Sequence, residues 1–198
     1  MNIMNINSLA QFDLYFPGHW VEGEDREWAF QVNHVLGLVQ SLFVEAVAAH
    51  ALFQPITQEN VLEYISKQES PYEGCLRGLY AKAFVFALHS IGRLLGWLSS
   101  AKMNPPDGLQ ELYQDYKSHF GHLKHIRDSA IHIEDRGRGV TRQQQRINTN
   151  ILIIGSFIER RFTFTGEDGQ QYEIEVSEKT LNAAKKIIQQ IIKMYRWT

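Results

Sequence analysis

Cysteine is nearly absent from this 198-residue chain: Cys75 stands alone, so neither an internal disulfide nor a cysteine-based zinc site can form. Lysine and arginine are missing from residues 1–25, and no sustained apolar run replaces them, so no secretory signal is expected there. Net charge is scarce as well. A formal charge of −2 gives no global attraction for nucleic acid. His, Arg, Glu or Gly interrupts the most apolar stretches well short of 18 residues, which argues against a transmembrane helix. There is no HExxH motif, no internal repeat and no low-complexity linker. These absences lead to the expectation of a soluble, cytoplasmic protein with no membrane partner and no cofactor.

What is present describes a globular chain. Hydrophobic residues make up 44% and charged residues 21%, enough for one substantial core, and 198 residues suit a single domain over 1–198. Residues 1–24 read as an ordered arm whose Phe12, Tyr15, Phe16 and Trp20 pack onto the body. From about Asp25 to Phe53, apolar residues recur at steps of three and four, predicting a long helix that Pro55 ends. A short helix is expected over Gln58–Ser66 with Thr57 as its cap. A second long apolar helix follows, from about Tyr72 to Ser99. Both helices are apolar beyond one stripe, which places them centrally or at a subunit interface.

After the break at Asn104-Pro105-Pro106-Asp107-Gly108, the stripe Leu109, Leu112, Tyr116, Phe120, Leu123, Ile126, Ala130, Ile133 predicts a third long helix. The period then changes to two. Phe162 and Phe164 alternate with Arg161, Thr163 and Thr165, and Tyr172, Ile174 and Val176 alternate with Glu173 and Glu175. With Gly166-Glu167-Asp168-Gly169 between them, residues 149–176 read as a β-hairpin insertion of two or three strands. Ser177 opens a closing amphipathic helix. The expected fold is mainly α: a four- to five-helix bundle with a β-hairpin inserted before the C-terminal helix.

Titratable chemistry is concentrated in one place. His119, His122, His125 and His132, half of all the histidines, fall within fourteen residues. Over Lys117 to Arg146, seven basic side chains meet three acidic ones, a net of +4 that leaves −6 for the rest. Helical phase puts Ser118, His122, His125, Ser129 and His132 on a face away from the apolar stripe. Asp128 lies one turn before His132 and is expected to orient its ring. Arg127 precedes His132 by five positions, so the two leave a regular helix about 140° apart. They would converge on one group if Arg127 curled round, if the helix distorted, or if a second copy supplied one of them.

Arg127-Asp128-Ser129-Ala130-Ile131-His132 resembles the R-x4-6-H motif of the HEPN superfamily, and no other Arg-to-His spacing of five to seven occurs in the chain. The resemblance covers the motif well and the helical bundle loosely, and the hairpin departs from the family's simplest bundles. It implies a homodimer acting as a metal-independent endoribonuclease, in a toxin or phage-defence setting, with Arg127, Asp128 and His132 catalytic. Arg136, Arg138, Arg142, Arg146 and His125 would hold RNA phosphates. The alternative it implies is a non-catalytic module that binds a nucleotide, RNA or a partner protein such as an antitoxin. A metal site on His119, His122 and His125 is the third reading, weakened by the lack of a fourth ligand at a standard spacing. Without it, the expectation is no metal.

Overall fold

The computed structural model describes residue 12 and residues 26–53 and 71–195. The helix expected at Gln58–Ser66 and, apart from Phe12, the N-terminal arm lie outside the described residues. The protein is mainly helical, with a small antiparallel sheet of three strands.

Helices α1 (Arg26–Leu52) and α2 (Pro71–Leu98) pack along each other and form the spine of the core. Val32, Leu36, Val39, Phe43 and Ala46 of α1 are fully buried, as are Ala81, Phe84, Val85, Leu88 and Ile91 of α2. Their spacing at three, four and seven is what turns one face of each helix inward. By length and composition α1 could also cross a membrane, which the sequence reading did not anticipate, and 44% of its apolar window is buried inside the protein.

The third long helix is not continuous. It divides into α3 (Leu109–Phe120), α4 (Leu123–Ile131) and a short α5 (Ile133–Gly137). The first break falls at Gly121, where a Cβ would stand 2.5 Å from the Lys117 carbonyl oxygen. The second falls at His132, whose φ of −99° and ψ of 45° end the helical path. Across the first break the apolar stripe stays in register: Tyr116, Phe120, Leu123 and Ile126 are all buried. Beyond the second it does not, and Ile133, expected inside, lies exposed. Tyr116 also anchors α3 to α2, its buried hydroxyl donating to the Leu88 carbonyl at 2.7 Å.

Strands β1 (Ile154–Ile158), β2 (Arg161–Thr165) and β3 (Gln171–Glu175) pair antiparallel in that order. The hairpin is therefore three-stranded. Phe162, Phe164 and Ile174 form its inner face, and Phe157 joins it to the end of α1 through Phe53. Gly169, at φ +78°, is obligatory in the β2–β3 turn, because a Cβ there would lie 2.2 Å from the Asn148 carbonyl oxygen. Helix α6 (Glu178–Met194) closes the fold, with the Ser177 hydroxyl accepting the Thr180 amide at its start. Its Leu181, Ala184, Ile188, Ile191 and Ile192 complete the core.

Candidate functional site

The polar face of α4 is not a solvent face. The β-sheet covers it. Ser129 is fully buried and donates to the Thr165 carbonyl at 3.0 Å. The His125 ring stacks on Tyr172, with centroids 4.2 Å apart and planes 5° from parallel. Tyr172 in turn donates its hydroxyl to Asp168 at 2.6 Å. Burial holds the His122 ring below its usual pKa, partly offset by a hydrogen bond to the backbone of Glu173. Three of the five polar positions on this face thus serve the seam between α4 and the hairpin. That seam explains much of the histidine cluster.

Arg127 and His132 stand at opposite flanks of α4. The His132 amide still makes the helical bond to the Asp128 carbonyl at 3.1 Å, so its side chain leaves the axis in helical phase, far round from Arg127. Arg127 pairs with Asp128 at 2.6 Å and lies on the side of His89 in α2, whose imidazole feels both charges. The carboxylate nearest the His132 ring belongs to Asp135, at 4.0 Å, and the expected pairing of Asp128 with His132 gives way to it. No hydrogen bond or ion pair joins Arg127 to His132 within the chain. Both remain partly open to solvent, with side chains 37% and 30% exposed.

The arginine-rich segment after α4 folds back on itself. Arg136, expected to hold phosphate, is 0% exposed. Its guanidinium donates to the Ser129 hydroxyl at 3.3 Å, the Val140 carbonyl at 2.8 Å and Glu167 Oε1 at 2.9 Å. It is a structural latch between α5 and the β2–β3 turn, because each of its three nitrogens bonds to the fold and the residue is closed to solvent. Arg142 meets the same Glu167 oxygen through its amide at 3.1 Å and its Nε at 3.5 Å. Burial raises the Glu167 pKa, yet the hydrogen bonds from Arg136 and Arg142 outweigh it and leave the carboxyl below its usual range. Arg138 donates to Asp135 Oδ1 at 2.5 Å, and Gln144 adds a second donor at 3.1 Å. The Gln144 bond, helped by Arg138, holds the Asp135 carboxyl low. Among the expected phosphate ligands on this segment, Arg146 is the exposed one with no carboxylate partner among the described residues.

The histidine triad does not assemble into a metal site. His125 is stacked on Tyr172, while His119 bonds its own helix at the Asp115 carbonyl, 2.9 Å away. His119 and His122 line a cleft of about 300 Å³ together with Arg161, Lys179, Glu173 and Glu175, whose charges oppose one another. Among the described residues, His132, Glu134 and Asp135 are the group whose ligand atoms lie within 4.8 Å of one another. Asp135 is already committed to Arg138 and Gln144, and a guanidinium at its oxygen opposes a second cation there.

A second cleft, of about 170 Å³, lies where α2, α3 and the start of α4 meet, and the sequence reading missed it. Its cations are Arg93, Lys117 and Lys124, with His89 beside them and Tyr113 and Tyr116 in its wall. Lys117 and Lys124 belong to the basic segment, but Arg93 and His89 lie far before it in the chain, so no local run announces the cleft. No protein-family model, curated protein or solved structure matches this chain.

Proposed function

We propose that this chain is a HEPN-like endoribonuclease that cleaves single-stranded RNA without a metal ion, in a site completed by two copies. Arg127 comes from one copy and His132 from the other. The observation that carries this reading is the placement of the pair. Both side chains are partly exposed on opposite flanks of α4, and His132 sits between Ile131 and Ile133, which are 42% and 41% exposed. An open apolar pair beside a polar group is a surface that a second copy would cover, and a two-fold axis there brings the two flanks together.

In this site the His132 imidazole takes the proton of a ribose 2′-hydroxyl. The 2′-oxygen then forms a bond to phosphorus while the bond to the 5′-oxygen breaks. The imidazolium returns its proton to the departing 5′-oxygen, leaving a 2′,3′-cyclic phosphate and a 5′-hydroxyl. Arg127 stabilises the charge that grows on the phosphate, and Asp128 fixes the guanidinium from behind. Asp135 steadies the His132 ring.

A complementation experiment tests the shared site. Arg127→Ala and His132→Ala should each lower cleavage by about 10²-fold or more. Mixed and refolded together, the two variants should recover activity, because one site in each mixed dimer regains both wild-type groups. A site made within one chain would stay dead in the mixture. EDTA should leave the wild-type rate unchanged.

The Arg127–Asp128 ion pair favours a second reading, a non-catalytic module in which the pair is an interface contact. A protein partner such as an antitoxin would then cover Ile131 and Ile133. Wild-type protein that binds RNA or such a partner but turns over no single-stranded RNA would establish that reading.

A further inference from the structure

We propose that the cleft between α2, α3 and the start of α4 binds a phosphate monoester, with Arg93, Lys117 and Lys124 around the phosphate and the organic part against Tyr113. Arg127 borders this site through His89, but binding here does not depend on RNA cleavage.

Three features of the cleft point to this ligand. Its cations come from three helices, and no acidic side chain lines it. None of the three pairs with a carboxylate among the described residues, although carboxylates take up Arg127, Arg136, Arg138 and Arg142 nearby. Uncompensated like charges around one concave space repel one another, and a dianion placed among them relieves that repulsion. Glycines also shape the wall. Gly92 lies against Tyr116, where a Cβ would approach the ring to 3.0 Å, and Gly121 turns the chain between Lys117 and Lys124.

Size narrows the ligand class. A volume of about 170 Å³ is below the range of roughly 300–1,000 Å³ common for drug-sized ligands. It accommodates a phosphate with one adjoining ring, and the rest of a larger organic part would project from the cleft's open side. The phosphate could be carried by a sugar or by a nucleoside, and the common chemistry is the monoester dianion.

His89 supplies an internal reporter. Burial holds its imidazole below the usual range; Arg127 and then Arg93 and Lys124 push it the same way, and Asp128 opposes them. A dianion beside Arg93 and Lys124 would cancel part of that push, so binding should raise the His89 pKa and draw in a proton.

The test is calorimetric titration of the intact protein with inorganic phosphate, ribose 5-phosphate, adenosine monophosphate and adenosine, with the His89 ring followed by NMR. The expected result is saturable binding of the phosphorylated probes, no binding of adenosine, and a rise in the His89 pKa on saturation. A sugar phosphate that outbinds adenosine monophosphate assigns the organic part to a sugar, and the reverse order assigns it to a nucleoside. Arg93→Ala and Lys117→Ala should each weaken binding about tenfold or more, as loss of a charge-assisted bond does. Both side chains are exposed, so folding should survive, and Lys193→Ala on α6 serves as the control. No saturation by any phosphorylated probe up to about 1 mM, or equal binding of adenosine, would overturn the proposal. So would loss of binding to a 5′-hydroxyl oligoribonucleotide in the same variants, which would make the cleft a track for an RNA strand.

Discussion

Arg136, Arg138 and Arg142 lie within seven residues of one another and each meets a carboxylate, whereas Arg93, Lys117 and Lys124 come from three helices and meet none among the described residues. The first group is the basic run that catches the eye in the sequence. Folding delivers Glu167 from the β2–β3 turn and Asp135 from α5 into the middle of it, so most of its charge is spent on holding the segment in place. Of the second group, Lys117 and Lys124 belong to the same basic segment but Arg93 lies on another helix, and folding brings the three together around an open cleft. Charge density along a chain and charge available to a ligand are therefore different quantities. The difference is set by where the carboxylates arrive.

The largest effect should come from breaking the latch. Arg136→Met removes three hydrogen bonds and leaves the Val140 carbonyl and the Ser129 hydroxyl short of a donor. A loss of about 3 kcal/mol is expected, read by chemical denaturation. Arg136→Lys should recover little of it, since a single ammonium cannot reach Ser129, Val140 and Glu167 in one fork. A cost below about 1 kcal/mol would mean that the basic segment is not held by this residue.

On the cleft side, Gly121→Ala should be felt next. The added Cβ would press on the Lys117 carbonyl oxygen, and the helix must shift to relieve it. Overpacking of this kind costs about 1–3 kcal/mol. It should also move Lys117 relative to Lys124 and so weaken phosphate binding, whereas Arg136→Met should leave the cleft's affinity intact among molecules that remain folded. Loss of stability with unchanged phosphate affinity would show that the break at Gly121 does not shape the cleft.

How far the sequence reveals these features depends on the range of the forces involved. The two long helices and the closing helix follow from three-four periodicity, and the structure places the bounds of the two long ones and the start of the closing one within a residue or two of expectation. The hairpin follows from period-two alternation around Gly166 to Gly169. The breaks at Gly121 and His132 are hidden, because Leu123 and Ile126 continue the apolar stripe in phase across the first of them. A kink that preserves register leaves no mark on periodicity. The burial of Ser129 and Arg136 is hidden for another reason: their partners Thr165 and Glu167 lie 36 and 31 positions away. The candidate catalytic pair was legible as a spacing, and so was the problem it poses within one helix. That Asp128 serves Arg127 while Asp135 serves His132 was not legible, because both carboxylates lie within about one turn of the ring and spacing alone does not choose between them.

A smaller effect should appear in acid. The folded-state pKa of Glu167 lies below its usual value, which is about 4.3 in an unfolded chain. Its contribution to stability is therefore complete above that unfolded value and is lost as the pH falls through the lower folded value. Its side chain is partly exposed, so about 1 kcal/mol is a fair expectation after screening. Urea denaturation of wild-type protein and Glu167→Gln should show this gap at pH 7, and the gap should narrow between about pH 5 and pH 3. A gap that stayed constant over that interval would remove the Glu167 carboxylate as the neutralising group.

The smallest expected effect probes the comparison from inside the basic segment. Arg138 and Arg142 are exposed but face carboxylates, while Arg146 is exposed and faces none among the described residues. When an unpaired arginine binds a phosphate, it releases the cation that had screened that phosphate, which steepens the salt dependence by about 0.7 log–log units for a single strand. An arginine already paired must give up its carboxylate to do the same. The freed carboxylate takes up a cation, and the two exchanges nearly cancel. Arg138→Ala and Arg142→Ala should therefore change the salt slope of RNA binding by less than about 0.3 each, and cost at most about 1 kcal/mol of stability. Arg146→Ala should flatten the slope by about 0.7 if the strand passes this segment. Equal flattening by all three variants would mean that the ion pairs open freely in solution. The dense run of arginines in the sequence would then be the better guide to where RNA lies.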